Sequence, residues 1–218
     1  MKALVKTALR LLFVLLALPF YLIFKIQCAV MGADQAITSW SQLMSLWPGM
    51  LGVYLRAAFY SLVFKHTSQE LVIGFGTLFS QHDTQIGAGT YIGPQCNIGK
   101  CAIGKNCLLG SGVHIMSGKG QHNFADPDKP LREQGGVFTQ VTIGEDSWLG
   151  NGALVMADVG KKCVIGAGSV VIHPVPDYAI VGGNPAKVLG SRKPAGESQH
   201  ATLILPGFVD TIRFDVSG

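Results

Sequence analysis

IGAGTYIGPQCNIGKCAIGKNCLLGSGVHI, residues 86–115, sets an aliphatic residue at Ile86, Ile92, Ile98, Ile103, Leu109 and Ile115, at intervals of six, six, five, six and six. Glycine follows the first five, at Gly87, Gly93, Gly99, Gly104 and Gly110. A second run repeats the pattern with Ile143, Leu149, Val155, Val159, Ile165 and Val171, and Gly144, Gly150, Gly160 and Gly166 behind four of them. A helix repeats at about 3.6 residues and a strand at 2, so neither accounts for a period of six with a glycine beside each aliphatic. A parallel β-helix does: each hexad makes one short flat wall, its aliphatic points inward, and the chain turns at a corner. The fourth residue after nearly every aliphatic is the expected small corner residue: Thr90, Cys96, Ala102, Cys107 and Val113, then Ser147, Ala153, Cys163 and Ser169. Glycine supplies the permissive backbone at the turn. The short steps from Ile98 to Ile103 and from Val155 to Val159 imply trimmed corners.

The hexads Ile86-Gly87-Ala88-Gly89-Thr90-Tyr91 and Ile165-Gly166-Ala167-Gly168-Ser169-Val170 resemble the hexapeptide-repeat acyltransferases. The stretch from Val141 to Leu189, with TIGEDSWLGNGALVM, VIGAGSVV and VGGNPAKVL, is similar to the galactoside, maltose and xenobiotic O-acetyltransferase branch. The resemblance covers roughly residues 71–190. It implies a left-handed coil, an exception to the usual right-handed crossover, and a homotrimer holding acetyl-CoA between neighbouring subunits. The expected fold is therefore mainly β: a left-handed parallel β-helix of hexapeptide repeats preceded by N-terminal apolar helices.

Composition points to a membrane. Only 14 % of the 218 residues are charged, while 48 % are hydrophobic. Between Leu11 and Phe64 the charged residues are Lys25, Asp34 and Arg56. The apolar run Leu11 to Phe24 would reach about 21 Å as a helix, short of a hydrocarbon core of about 30 Å, and Pro19 should kink it. Basic residues flank it on both sides, Lys2, Lys6 and Arg10 before and Lys25 after, which favours an in-plane or re-entrant helix over a span. A second stretch, Met44 to Phe64, carries Trp47, Tyr54, Phe59 and Tyr60 around a break at Pro48-Gly49 and suits the headgroup region. Residues 1–70 thus read as a membrane-associated helical segment on the cytoplasmic face. Residues 71–190 form the coil with an inserted loop at 119–142, and 191–218 a tail in which Ile212, Phe214 and Val216 suggest a short strand. Order in the repeat is loose from Leu71 to Thr84 and clean from Ile86.

The net charge of +4 is modest and the basic residues are scattered, so a nucleic-acid groove is not expected. Four of the five cysteines lie within the repeats, and Cys96, Cys107 and Cys163 at corner positions act as compact apolar filler rather than as metal ligands. Free thiols suit a reducing compartment. No metal is expected.

Acyl transfer from a thioester to an alcohol needs a group that takes the hydroxyl proton, and a neutral imidazole has a suitable pKa. Of six histidines, His122 lies in the excursion GKGQHNFADPDKPLREQGG, which resembles the loop that carries the catalytic histidine in this branch. His114 is the reserve candidate. Asp83, Asp126 and Glu133 are possible orienting carboxylates. Arg132 and Gln134 in the same loop could hydrogen-bond a carbohydrate acceptor, and Trp148 could wall its cleft or pack between subunits. The resemblance further assigns the pantetheine arm of acetyl-CoA to the main chain at Asn151 and Ala167, the turn to Gly183, and the CoA phosphate to Lys187. No cysteine or serine stands where a covalent acyl intermediate would need one, so transfer should be direct. The expected activity is O-acetylation of a sugar, with an envelope polysaccharide or its lipid-linked precursor favoured by location. Alternatives are N-acetylation of an amino sugar or a non-catalytic membrane-anchored scaffold.

Overall fold

The structure, a computed structural model, describes residues 2–193. The strand expected around Ile212, Phe214 and Val216 lies outside the described residues.

Three parallel sheets wind around one column. Face I stacks β1 (Val72–Ile73), β4 (Tyr91–Ile92), β7 (Leu108–Leu109), β10 (Trp148–Leu149), β12 (Val164–Ile165) and β14 (Ala179–Gly182). Face II stacks β2 (Leu78–Phe79), β5 (Asn97–Ile98), β8 (His114–Ile115), β11 (Leu154–Val155) and β13 (Val170–Val171). Face III stacks β3 (Gln85–Ile86), β6 (Cys101–Ile103) and β9 (Val141–Ile143), continued by single bridges from Ile143 to Val159 and on to Val175. In each two-residue strand the second residue is the buried one, and in register these residues form three inward columns. The parallel β-helix of hexapeptide repeats read from the sequence is the observed fold.

Two details differ from the sequence reading. The first coil is already regular, because Ile73 and Phe79 fill inward positions where an aliphatic-only search finds just one. The corner residue of the trimmed turn is Cys101, which is fully buried, whereas Ala102 is half-buried on the outer side of face III; a step of five moves the corner back by one residue.

The corners are not equivalent. Every step from face I to face II is six residues, from Ile73 to Phe79 through Ile165 to Val171, and every step from face III to face I is also six. Between faces II and III the steps are seven (Phe79 to Ile86), five (Ile98 to Ile103), twenty-eight (Ile115 to Ile143), four (Val155 to Val159) and four (Val171 to Val175). All length variation, including the long excursion, is confined to the II/III corner.

The N-terminal segment forms α1 (Lys2–Met31), α2 (Ala33–Ser45) and α3 (Gly49–Val63). Helix α1 runs unbroken through Pro19 and spans 30 residues, or about 45 Å. The expectation of a short helix is thereby corrected: its length does not prevent it from crossing a bilayer. Packing holds it past the proline, since Phe13, Ala17 and Phe24 are buried while Leu11, Leu15, Leu18, Leu22 and Ile26 are exposed. The helix meets the coil at two well-separated points, Arg10 to Glu70 at 2.9 Å and the Phe24 ring on the His82 ring at 5.8 Å between centroids. Fourteen residues of helix, about 21 Å, separate these contacts. It therefore lies against the base of the coil instead of projecting away from it.

Helices α2 and α3 close the open end of the column. Tyr60 meets the inward Phe79 at a tilt and Phe64 meets it edge to face. The first coil would otherwise present unpaired backbone groups. Ser41 Oγ donates to Phe79 O at 3.0 Å, Arg56 Nε to Ile73 O at 2.8 Å, and the Gly76 N–H to Ser45 O at 3.0 Å. The buried Arg56 also donates to Met44 O and Trp47 O, so its charge lies at the carbonyl end of α2. At the other end β15 (Lys187–Ser191) folds back antiparallel on β14 and covers the last edge of face I.

Candidate active site

The excursion leaves face II after β8 and returns to face III at β9. Its two arms pair with each other: the Thr139 N–H donates to Ser117 O at 3.0 Å, Val137 N–H to Gly120 O at 2.7 Å, and Asn123 N–H to Gly135 O at 2.9 Å. His122 stands beside this ladder, exposed. Directly behind it the chains approach so closely that a Cβ on Gly136 would meet Gln121 O and come within 2.8 Å of His122 N. Gly136 is thus needed for the position of His122. The only sequence signal for it is the paired glycine in QGG.

The tip of the loop is held by Gln134. Its Nε2 donates to Asp126 O and Lys129 O, both at 2.7 Å, and its Oε1 accepts from the Asp126 N–H at 3.1 Å. Gln134 therefore fixes the loop, and its Nε2 is engaged by two carbonyls of the tip. Arg132 remains open: its side chain is 87 % exposed and touches Glu133 at 3.6 Å.

None of the three carboxylates considered as orienters bonds to His122. Asp83 pairs with Lys100 at 2.7 Å, Asp126 caps the Asp128 N–H at 3.0 Å, and Glu133 faces Arg132. His82 lies against α1, and His114 projects from face II between Asn97 and Leu154. Among the described residues there is no cluster of three metal-ligating side chains.

The residues assigned to the donor form a second group on the opposite border of face II. Asn151, Ala167 and Gly183 follow β10, β12 and β14 at the I/II corner, one per coil, all exposed. Their backbones are stacked: the Gly168 N–H donates to Asn151 O at 2.9 Å and the Val170 N–H to Gly183 O at 3.0 Å. The Asn151 side chain locks onto the preceding coil through a bond from the Ser111 N–H to its Oδ1 at 3.1 Å. Gly150 permits the approach of the first two of these coils, because a Cβ there would lie 2.5 Å from Ala167 N. Gly152 and Gly168, both at φ +67°, turn the corner with open space around them. Lys187 pairs with Gly182 at the top of this ladder and is exposed.

Trp148 is three residues before Asn151 on the outside of face I, 51 % exposed, in register with Leu108 and Tyr91. It lines a shallow hollow of about 270 Å³ with Leu108, Asp146 and Arg192. One chain therefore brings Asn151, Ala167, Gly183, Lys187 and Trp148 together, and separately His122, Arg132 and Gln134. Face II lies between the two groups.

Residues 83–117 match the family described as bacterial transferase hexapeptide (six repeats), and residues 140–172 the hexapeptide repeat of succinyl-transferase. The chain is 35 % identical over 118 residues to a chloramphenicol acetyltransferase of Agrobacterium fabrum, covering 47 % of this chain and 56 % of that protein. It is 28 % identical over 123 residues to WbbJ of Escherichia coli K12, which is named as a lipopolysaccharide biosynthesis O-acetyl transferase, covering 53 % and 61 %. The chain spans about half the length of such curated relatives. In fold it is similar to the hexapeptide-repeat acetyltransferase VCA0836 of Vibrio cholerae complexed with acetyl coenzyme A, with TM-score 0.59 and 21 % identity over 77 % of this chain and 92 % of that one. The repeat region thus carries the hexapeptide repeats of the matched transferase families, as its sequence suggested.

Proposed function

We propose that the protein transfers an acetyl group from acetyl-CoA to a hydroxyl of a carbohydrate at the cytoplasmic face of a membrane, as an O-acetyltransferase. The observation that carries this reading is the division of labour across face II: a stacked main-chain ladder on one border, and on the other the one long excursion from the coil, with His122 exposed on it. The ladder at Asn151, Ala167 and Gly183 would hold the pantetheine arm, with Lys187 as a point charge for a CoA phosphate. His122 would take the hydroxyl proton as the oxygen attacks the thioester carbonyl; the C–S bond then breaks and the CoA thiolate leaves, to be protonated. Arg132 would bind the acceptor and Gln134 hold the loop that presents it.

A homotrimer would complete the site by setting the loop of one copy against the ladder of the next. Two apolar surfaces support this. Tyr91, Leu108 and Trp148 form an exposed column on face I, and Phe124, Leu131, Val137 and Phe138 are exposed on the loop. Light scattering of the detergent-solubilised protein should return three copies per particle.

The membrane reading rests on α1. It carries a 28-residue apolar stretch with only 17 % of its most apolar window buried, unlike a core helix, and it lies along the base of the coil. Both features favour an in-plane helix with the exposed stripe in the lipid. The loop leaves the third coil, about 10 Å above the first, within reach of a sugar on a lipid carrier. Labelled acetyl-CoA incubated with the solubilised protein and fractionated membrane glycolipids should yield a glycolipid heavier by one acetyl group, and mild alkali, which spares amides, should release that acetyl. A base-resistant acetyl would indicate transfer to nitrogen. Absence of CoA binding by calorimetry, together with no transfer, would leave only a scaffold.

A further inference from the structure

A cleft of about 420 Å³ opens where α1, α3 and the first two coils meet on face I. Its floor is apolar, built from Val53, Tyr54 and Ala57 of α3 with Val72 of β1. On its rim are Lys6 and Arg10, one turn apart on α1 and so on the same side of that helix. The carboxylate present is Glu70, which binds Arg10 at 2.9 Å and is itself 61 % exposed. Lys6 has no carboxylate partner among the described residues, and α1 contains no acidic residue. The cleft lies at the foot of the coil, away from the Asn151–Ala167–Gly183 ladder on the later coils, and neither group of candidate catalytic residues contributes to it.

We propose that this cleft is a binding site for the phosphate headgroup of an anionic membrane lipid. Lys6 and Arg10 donate to the phosphate, and the apolar floor packs the start of the acyl region. The volume suits a headgroup with its glycerol rather than a whole lipid. A free phosphate ion would gain nothing from the apolar floor, whereas a lipid entering from the plane of α1 meets exposed Leu4, Val5 and Met50 on the way in. The excess of two cations over one carboxylate gives the preference for an anion, and Lys6, unpaired, contributes most of it. The proposal rests on the in-plane reading of α1. Its consequence is orientational: one lipid seated between helix and coil fixes the base of the column, and with it the height of the loop.

The test uses the full chain in a non-ionic detergent, titrated with phosphatidylglycerol or phosphatidylcholine, with bound lipid counted by native mass spectrometry. Phosphatidylglycerol should be retained in preference. Lys6→Gln should weaken its retention about tenfold, the scale of one charge-assisted contact. Lys25→Gln, on the same helix but outside the cleft, should change it by less than about twofold. Val53→Phe, which fills the floor and keeps both charges, should also release the lipid while circular dichroism stays unchanged. Equal losses in Lys6→Gln and Lys25→Gln would mean general surface attraction and overturn the site, as would equal retention of the two lipids. Displacement by inorganic phosphate at matched ionic strength would assign the cleft to a free anion and overturn it equally. Flotation with phosphatidylcholine vesicles separates the premise: a protein that fails to float refutes the in-plane helix, whatever the mass spectra report.

Discussion

The I/II corner and the II/III corner border the same face, yet one is built of identical six-residue steps and the other of steps of four, five, seven and twenty-eight. The regular corner carries residues proposed to act through backbone groups. Such recognition depends on successive coils keeping one register, because each N–H and C=O must repeat at the strand spacing of about 4.8 Å. The irregular corner carries a proposed side-chain catalyst. A side chain can be delivered by any loop that folds rigidly, so length there is free to vary. The two corners thus divide binding from chemistry, and each division can be broken separately.

The largest effect is expected at the irregular corner. His122→Ala should lower turnover by about 10² to 10⁴-fold, the contribution of a positioned general base. CoA affinity by calorimetry and the melting temperature should not change, since His122 is exposed and bonded to neither the ladder nor the core. An unaltered rate would remove the histidine from the mechanism and leave the II/III excursion without a catalytic role.

Single-residue insertions probe the corners directly. One glycine added after Gly152, at the I/II corner, breaks a six-residue step and forces a slip in which Leu154 replaces Val155 on the inner side. Loss of about 2–5 kcal/mol is expected in urea unfolding, from misplaced core side chains and cavities. The same glycine added after Ala157, at the II/III corner, turns a step of four into the step of five already present from Ile98 to Ile103. That change should cost no more than about 1 kcal/mol. Equal costs would show that the two corners do not differ in tolerance.

The asymmetry explains what was legible in the sequence. The coil could be read because Ile86, Ile92 and Ile98 repeat a local rule, and the excursion could be read because the rule stops at Gly118. That every departure falls on one corner becomes visible only when residues such as Phe79 and Val175 are placed on a face, and Phe79 is hidden from an aliphatic search. Helix α1 was read too short because Pro19 and Lys25 look like boundaries. Burial of Phe13, Ala17 and Phe24 against the other helices and the coil overrides that local signal. The role of Gln134 was out of reach, since its partners, Asp126 and Lys129, are set by the fold of the loop and not by spacing.

Gln134 offers a milder break of the same comparison. Gln134→Ala removes three hydrogen bonds within the loop and none at the ladder. Turnover should fall about tenfold, in line with roughly 1–2 kcal/mol of lost positioning, while CoA affinity stays fixed. Limited proteolysis should cut the loop sooner than in the parent chain. If CoA affinity fell in parallel with turnover, the loop and ladder would be one unit and the division proposed here would fail.

The smallest effect concerns the thiols at the regular corners. Thr77 and Thr90 donate through their hydroxyls to carbonyls of the next coil, Gly93 O at 2.8 Å and Gly104 O at 2.9 Å, and Ser147 does so to Gly160 O at 2.9 Å. Cys96, Cys107 and Cys163 place Sγ at the equivalent point, 3.1 to 3.2 Å from Gly110 O, Gly144 O and Pro176 O. Serine can therefore replace the thiol and keep its acceptor, so Cys107→Ser should alter stability at pH 7 by no more than about 1 kcal/mol. Burial pushes the Cys107 thiol above its ordinary value of 9.0. The folded state thus binds the thiol proton more tightly than the unfolded chain; its contribution is intact below pH 9 and declines as the unfolded thiol ionises above it. Cys107→Ser removes that titration, so its unfolding midpoint in urea should fall less between pH 8 and about pH 10 than that of the parent protein. A variant that loses as much over this interval would show that alkaline weakening arises elsewhere, and that the corner thiols are interchangeable with hydroxyls at every pH.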